Sequence, residues 1–328
     1  MSASAPPPSP FEGLHRAPVG AEAMLRRLEW SVIRRLDGLL HGDYRTLFRG
    51  SGLDLADLRE YQYHDDVRHI DWNVTARLQI PHVREFHEER ELSAWFLLDL
   101  SPSIDFGSEA LLKRQVAVEF VAVLAQLLSR RGNRVGALMY GEGLDTVISP
   151  KSGRKQVLQL LHRMQARPLA KERGTATDLG VFLREAAPIM PRRSLVFVVS
   201  DFISAPGWDK PLAHLTQRHD VVAVRLFDPL EMNLPDLGLL LMQDAETGEQ
   251  IFVDTHDKGF RKRFAAAADL RETQLREAFS HAGVDVLELA TDDELVEAMM
   301  RFVDLRKQRM RARNGVSYGL PQHLGQMS

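Results

Sequence analysis

Five oxygen-bearing residues stand out by type and spacing. Asp99, Ser101 and Ser103 form an Asp-x-Ser-x-Ser triplet directly after the apolar run Ser93 to Leu98. Thr177 stands at the N-terminus of a helical pattern, where it suits an N-cap, and Asp201 follows a second apolar run, Leu195 to Ser200. Two carboxylates and three hydroxyls are hard ligands with no nitrogen or sulfur among them. That set suits Mg²⁺, or Mn²⁺, in octahedral geometry with water completing the shell. An ion carrying so little ligand charge stays electrophilic and accepts a carboxylate from another protein. The triplet alone is a weak signal because serine is common. Position gives it force, since open parallel sheets bind ligands beyond the carboxyl ends of their strands, where strand order reverses. The same crevice would suit a metal-dependent hydrolase or phosphatase with Asp105 or Asp178 as general base, and a structural module with an empty site is the third reading.

The elements that must position these residues alternate. Short apolar runs at Ser93 to Leu98, Arg134 to Tyr140, Ser194 to Val199, Asp220 to Phe227 and Val284 to Leu289 read as buried strands. Helical patterns separate them: Leu111 to Arg130, Lys155 to Gln165, Leu179 to Ala187, Ala213 to Arg218, Phe260 to Ala282 and Asp292 to Arg309. This predicts an α/β fold, doubly wound, with a mostly parallel central sheet flanked by helices. Leu144 to Ser149 adds a short strand, and Leu239 to Met242 with Gln250 to Val253 read as an inserted hairpin. Before the sheet, Ala21 to Leu40 carries Leu25, Leu28, Val32, Leu36 and Leu39 at helical spacing, with Arg26, Arg27, Arg34 and Arg35 on a face expected to be solvated. The organisation expected is a disordered leader over 1–20, an accessory segment over 21–90, the sheet domain over 91–308 and a flexible tail over 309–328.

Composition narrows the classes. Of 328 residues 44% are hydrophobic and 27% charged, which excludes global disorder. The 42 basic residues against 45 acidic ones give no field for a dedicated nucleic-acid binder, and the basic run Arg306 to Arg313 reads as a solvated helix end. Without cysteine, disulfides, thiolate zinc sites and Cys nucleophiles are excluded. His64, His69, His82 and His87 lack the His-Glu-x-x-His spacing of a zinc helix. No run approaches the roughly 18 apolar residues of a membrane span, and the N-terminus lacks a signal-peptide pattern, so a soluble cytoplasmic protein is expected.

The five-residue arrangement resembles the metal-ion-dependent adhesion site of von Willebrand factor A domains, over about Glu91 to Asp304. The resemblance implies that Ser101 and Ser103 are direct ligands, Thr177 a direct or water-mediated one, and Asp99 and Asp201 largely water-mediated. Preceding it is a more specific string: Leu58-Arg59-Glu60-Tyr61, then Asp65-Asp66-Val67-Arg68-His69-Ile70-Asp71-Trp72, then Thr75-Ala76-Arg77. This is similar to the signature of the bacterial family known as domain of unknown function 58, with His64 where that family usually has Gly. The resemblance implies a von Willebrand factor A-like domain after the string and a partnership with MoxR-type AAA+ ATPases in maturing or remodelling client proteins. Arg59, Tyr61, Asp65, Asp66, Arg68, Asp71, Trp72 and Arg77 are then candidates for structural docking or partner contact. Asp65, Asp66, Arg68, Asp71 and Arg77 are expected to form an ion-pair network, which would give geometry more than stability.

Overall fold

A computed structural model describes residues 20–39, 57–63, 65, 67, 70–85, 93–107, 111–141, 143–167, 178–243 and 250–315. The expected leader, all but residue 20, and the tail beyond 315 lie outside the described residues.

The central strands form because their residues are apolar on both faces. β3 (Ser93–Asp99), β4 (Arg134–Tyr140), β6 (Leu195–Ser200), β7 (Asp220–Phe227) and β10 (Asp285–Ala290) are parallel, and β5 (Leu144–Lys151) closes one edge antiparallel to β4. The order across the sheet is β10-β7-β6-β3-β4-β5. From β3 the chain moves to one side, through β4 and β5, then returns to the other side with β6. The reversal therefore falls between β3 and β6, where the sequence requires it.

Alternation along each strand builds two cores. Ala94, Phe96 and Leu98 of β3 join Leu195, Phe197 and Val199 of β6 in one layer; Trp95 and Leu97 join Val196 and Val198 in the other. The first layer is covered by α4 (Lys113–Arg130), α5 (Arg154–Ala166) and α10 (Leu295–Gly315), the second by α6 (Leu179–Ala186), α7 (Asp209–Arg218) and α9 (Lys258–Ala282).

The N-terminal helix enters the first core with one change of register. α1 (Ala21–Leu28) passes through a π-helical turn, Glu29–Ile33, into α2 (Arg34–Leu39). The wide turn inserts a residue into the repeat. The buried stripe therefore runs from Leu25 and Leu28 to Ile33 and Leu36, leaving Val32 half-buried. The basic face is not simply solvated either: Arg27 pairs with Glu119 and Arg35 with Glu294, the latter at 2.6 Å.

Two further expectations need correction. Arg306 is buried and bonds both oxygens of Asp220 at 2.8 and 3.1 Å, pinning α10 to β7, so this part of the basic run is an internal fastening. The last helix also continues to Gly315, past Arg309, where the pattern had placed the start of the tail. A buried pair between Arg225 of β7 and Glu272 of α9 fastens the opposite layer.

The segment before the sheet has its own small architecture. β1 (Asp57–Glu60) pairs antiparallel with β2 (His82–Glu85), and α3 (Trp72–Leu78) lies between them in sequence. An inserted hairpin, β8 (Leu239–Gln243) with β9 (Gln250–Asp254), follows the short helix α8 (Pro229–Met232).

Candidate functional site

At the carboxyl ends of β3 and β6 the two predicted aspartates and two of the hydroxyls meet. Asp99 ends β3 and is buried; its Oδ1 accepts the Ser101 backbone N–H at 3.0 Å and its Oδ2 accepts the Ser200 hydroxyl at 2.6 Å. That second bond crosses from β6 to β3 and locks the carboxylate over the switch point. Ser101 and Ser103 are buried in the turn Pro102–Asp105 and its approach, with hydroxyl oxygens 3.2 Å apart. Asp201 follows β6; its Oδ1 accepts the Ile203 N–H at 3.0 Å.

The turn that aims Asp201 is strained. Phe202 has φ 58°, a left-handed conformation that bulky aromatic residues rarely adopt and that costs about 1–3 kcal/mol. Its N–H donates to Ser200 Oγ at 2.9 Å, and its ring is wedged against Trp208 and Phe279 at centroid distances of 5.1 and 4.8 Å. Packing thus holds a backbone geometry that the isolated turn would avoid.

Lys113, the first residue of α4, is the main feature the sequence reading missed. Its ammonium is fully buried and donates to Asp201 Oδ2 at 2.7 Å and to Glu231 Oε1 at 2.6 Å. A signal was present: Lys113 shares the apolar stripe of its helix with Val116, Ala117, Phe120 and Leu124. A charge on such a stripe needs a buried partner. Burial opposes the charge, yet the carboxylates of Asp201 and Glu231 outweigh it and hold the ammonium above the ordinary lysine range. For Glu231 itself burial wins over Lys113 and raises its carboxyl. Asp99 is pushed up to about 6, first by burial and then by the charge of Asp201, against the opposing bonds from Ser200 and Ser101. Tyr140, at the end of β4, is raised by burial and by Asp178.

Thr177 lies outside the described residues, and the N-cap expected of it belongs to Asp178, whose Oδ1 accepts the Val181 N–H at 2.9 Å. Asp105 is clasped by Arg114 through Nε and, at 2.9 Å, Nη2. In the preceding string, Asp71 caps α3 by accepting the N–H groups of Asn73 and Val74 at 3.0 and 3.2 Å, and Asp65 accepts the Gln62 N–H at 2.7 Å. Tyr61 is half-buried, while Trp72 and Arg77 are exposed, Trp72 to 69%. Asp66, Arg68 and the side chain of Arg59 lie outside the described residues, as do His64, His69 and His87. The described bonds of Asp65 and Asp71 go to local backbone, and two members of the expected ion-pair network, Asp66 and Arg68, lie outside the described residues.

The family model described as "Protein of unknown function DUF58" matches residues 57–274, from β1 through most of α9. The chain belongs to the DUF58 family. This DUF58 chain is also 36% identical over 301 residues to the uncharacterized protein Rv1480 of Mycobacterium tuberculosis, covering 92% of this chain and 94% of that protein. Among solved structures, it is similar to BatB from Bacteroides thetaiotaomicron at 14% identity and TM-score 0.41, over 66% of this chain and 99% of that one. It is likewise similar to the SpRpn10 VWA domain at 12% identity and TM-score 0.36, over 65% and 95% of the two chains. The fold of this DUF58 chain is a mostly parallel sheet flanked by helices whose Asp-x-Ser-x-Ser turn leaves a central strand, the arrangement expected of a von Willebrand factor A-like domain. Among the described residues no helix is long and apolar enough to cross a membrane.

The donor set fits a hard divalent cation. The hydroxyls of Ser101 and Ser103 converge, and Asp99 is raised first by burial and then by repulsion from Asp201. A doubly charged ion bound by oxygen would relieve that repulsion.

Proposed function

We propose that this DUF58 chain is a non-enzymatic protein-interaction module whose docking face is the crest of the sheet around Asp99, Ser101, Ser103 and Asp201. Mg²⁺ or Mn²⁺, held by these residues together with Thr177, supplies an electrophilic centre that a partner carboxylate completes. The single observation carrying the reading is the convergence of the two aspartates and two serines over the β3–β6 reversal, locked by the Ser200 to Asp99 bond of 2.6 Å.

Two further features support binding over catalysis. The carboxylates a hydrolase would use as a base are already engaged, Asp105 by Arg114 and Asp178 by the start of α6. In addition, one face of the hairpin that follows Glu231 exposes Leu239, Leu241 and Phe252, with Leu241 paired directly to Phe252. Contiguous exposed apolar surface of this kind marks a protein contact. Membership of the family makes a MoxR-type AAA+ ATPase, or a client it remodels, the partner class to test.

Immobilised chain should retain a MoxR-type ATPase or its client in millimolar Mg²⁺ and release it on chelation, with Asp99→Ala reproducing the loss. Capture that is indifferent both to the chelator and to Asp99→Ala would remove the metal bridge from the account.

A further inference from the structure

We infer that Lys113 is a resident counter-cation that competes with the divalent ion for Asp201, so that the site alternates between an ammonium-latched and a metal-loaded state. The inference rests on the metal-binding reading above and concerns what sets its affinity.

The geometry places the competitor where the ion must act. Asp201 has one oxygen committed to the Ile203 N–H and the other to the Lys113 ammonium at 2.7 Å. A divalent ion drawing on Asp201, directly or through water, meets a buried positive charge within a few ångströms. Two cations at such separation in a poorly screened site repel strongly, so one must yield. The ammonium also has somewhere to go. Glu231 accepts it at 2.6 Å through Oε1, while its Oε2 accepts the Asp228 N–H at 3.2 Å. Asp228 is itself fixed by the Leu230 N–H at 2.9 Å and by the Thr291 hydroxyl at 2.6 Å. Glu231 is therefore a rigid seat on which the lysine stays paired when it releases Asp201.

Charge counting gives the same direction. Asp99, Asp201 and Glu231 set three carboxylates against the one ammonium of Lys113, whose nitrogen lies over the Phe106 ring, 5.8 Å from its centroid. The ammonium lowers the negative charge available to the ion without cancelling it. A monovalent ion gains little by displacing a lysine, whereas a divalent one adds a charge that the ammonium lacks. The latch therefore selects for divalent cations and keeps their binding weak enough to be reversible.

The test compares Mn²⁺ binding, by calorimetry and by the paramagnetic resonance signal of free Mn²⁺, in three chains. In Lys113→Met combined with Glu231→Gln, a positive and a negative charge leave together, so the formal charge is unchanged while Asp201 is freed. That chain should bind Mn²⁺ at least about tenfold more tightly than wild type. Glu231→Gln alone strips the lysine of its alternative seat and should bind at least about threefold more weakly. Circular dichroism and melting establish that each chain is folded. Wild-type binding with unchanged or weaker affinity in the double variant, or unchanged affinity in Glu231→Gln, overturns the latch and leaves the metal site standing. Absence of Mn²⁺ binding in all three chains overturns the metal reading and the latch together.

Discussion

Replacing Lys113 by alanine is expected to lower folding stability in metal-free buffer by about 3–5 kcal/mol, the cost of removing one partner from a buried ion pair. The size follows from what remains. Asp201 and Glu231 stay on opposite sides of the vacated position, the first fully buried, and each has lost an ammonium at 2.7 or 2.6 Å. Native domains hold only about 5–15 kcal/mol in total, so this one side chain carries a large fraction. Urea denaturation with chelator present reads the effect as a lower midpoint at unchanged slope. Mg²⁺ at about a hundred times its dissociation constant should return roughly 2.7 kcal/mol to the variant. A midpoint within error of wild type would mean that the lysine is not the charge holding this crest together.

The second large effect is a pH dependence. In the folded metal-free chain Asp99 titrates at about 6, well above the 3.8 of an unperturbed aspartate. The native state therefore holds this proton more tightly than the unfolded state does. The stability it contributes is fully present below pH 3.8 and is lost as pH rises through about 6. At about 1.4 kcal/mol per pH unit the loss amounts to roughly 3 kcal/mol. Other groups titrate in the same window, so the quantity to measure is the stability difference between wild type and Asp99→Asn across a pH series. That difference should shift by roughly 3 kcal/mol, in favour of Asp99→Asn at neutral pH, and saturating Mg²⁺ should flatten it. Parallel profiles for the two chains would show that Asp99 titrates alike in the folded and unfolded states.

Much of the fold was legible in the sequence because its signals are local. Trp95 to Leu98 is apolar on both faces, which only a strand covered on both sides accommodates, and the same holds for Val196 to Val199. Their adjacency, and hence the meeting of Asp99 with Asp201, followed from the topology such strands adopt. The cap at Asp71 carries an equally local signal, an Asp directly before Trp72 and α3, passed over in favour of an ion-pair role. Other features depend on contacts that no short window contains. Glu231 meets Lys113 across 118 positions of chain, from a four-residue helix with no pattern of its own. Ser200 reads as the end of a strand until its hydroxyl is seen on Asp99. β1 and β2 are mostly charged, with Leu58 and Val83 as their apolar residues, so period-two patterning is too weak to announce them. The π-helical turn at Glu29–Ile33 shows the converse, a strong helical period whose register shifts to fit Ile33 into the core.

Everything functional in this account turns on oxygen atoms gathered from two strand ends being a cation site in solution. Isothermal titration of Mg²⁺ into the wild-type chain, set beside Asp99→Ala combined with Asp201→Ala, measures this directly. One saturable ion per wild-type chain is expected, and no heat of binding in the doubly substituted one. Equal titration curves for the two proteins would contradict it.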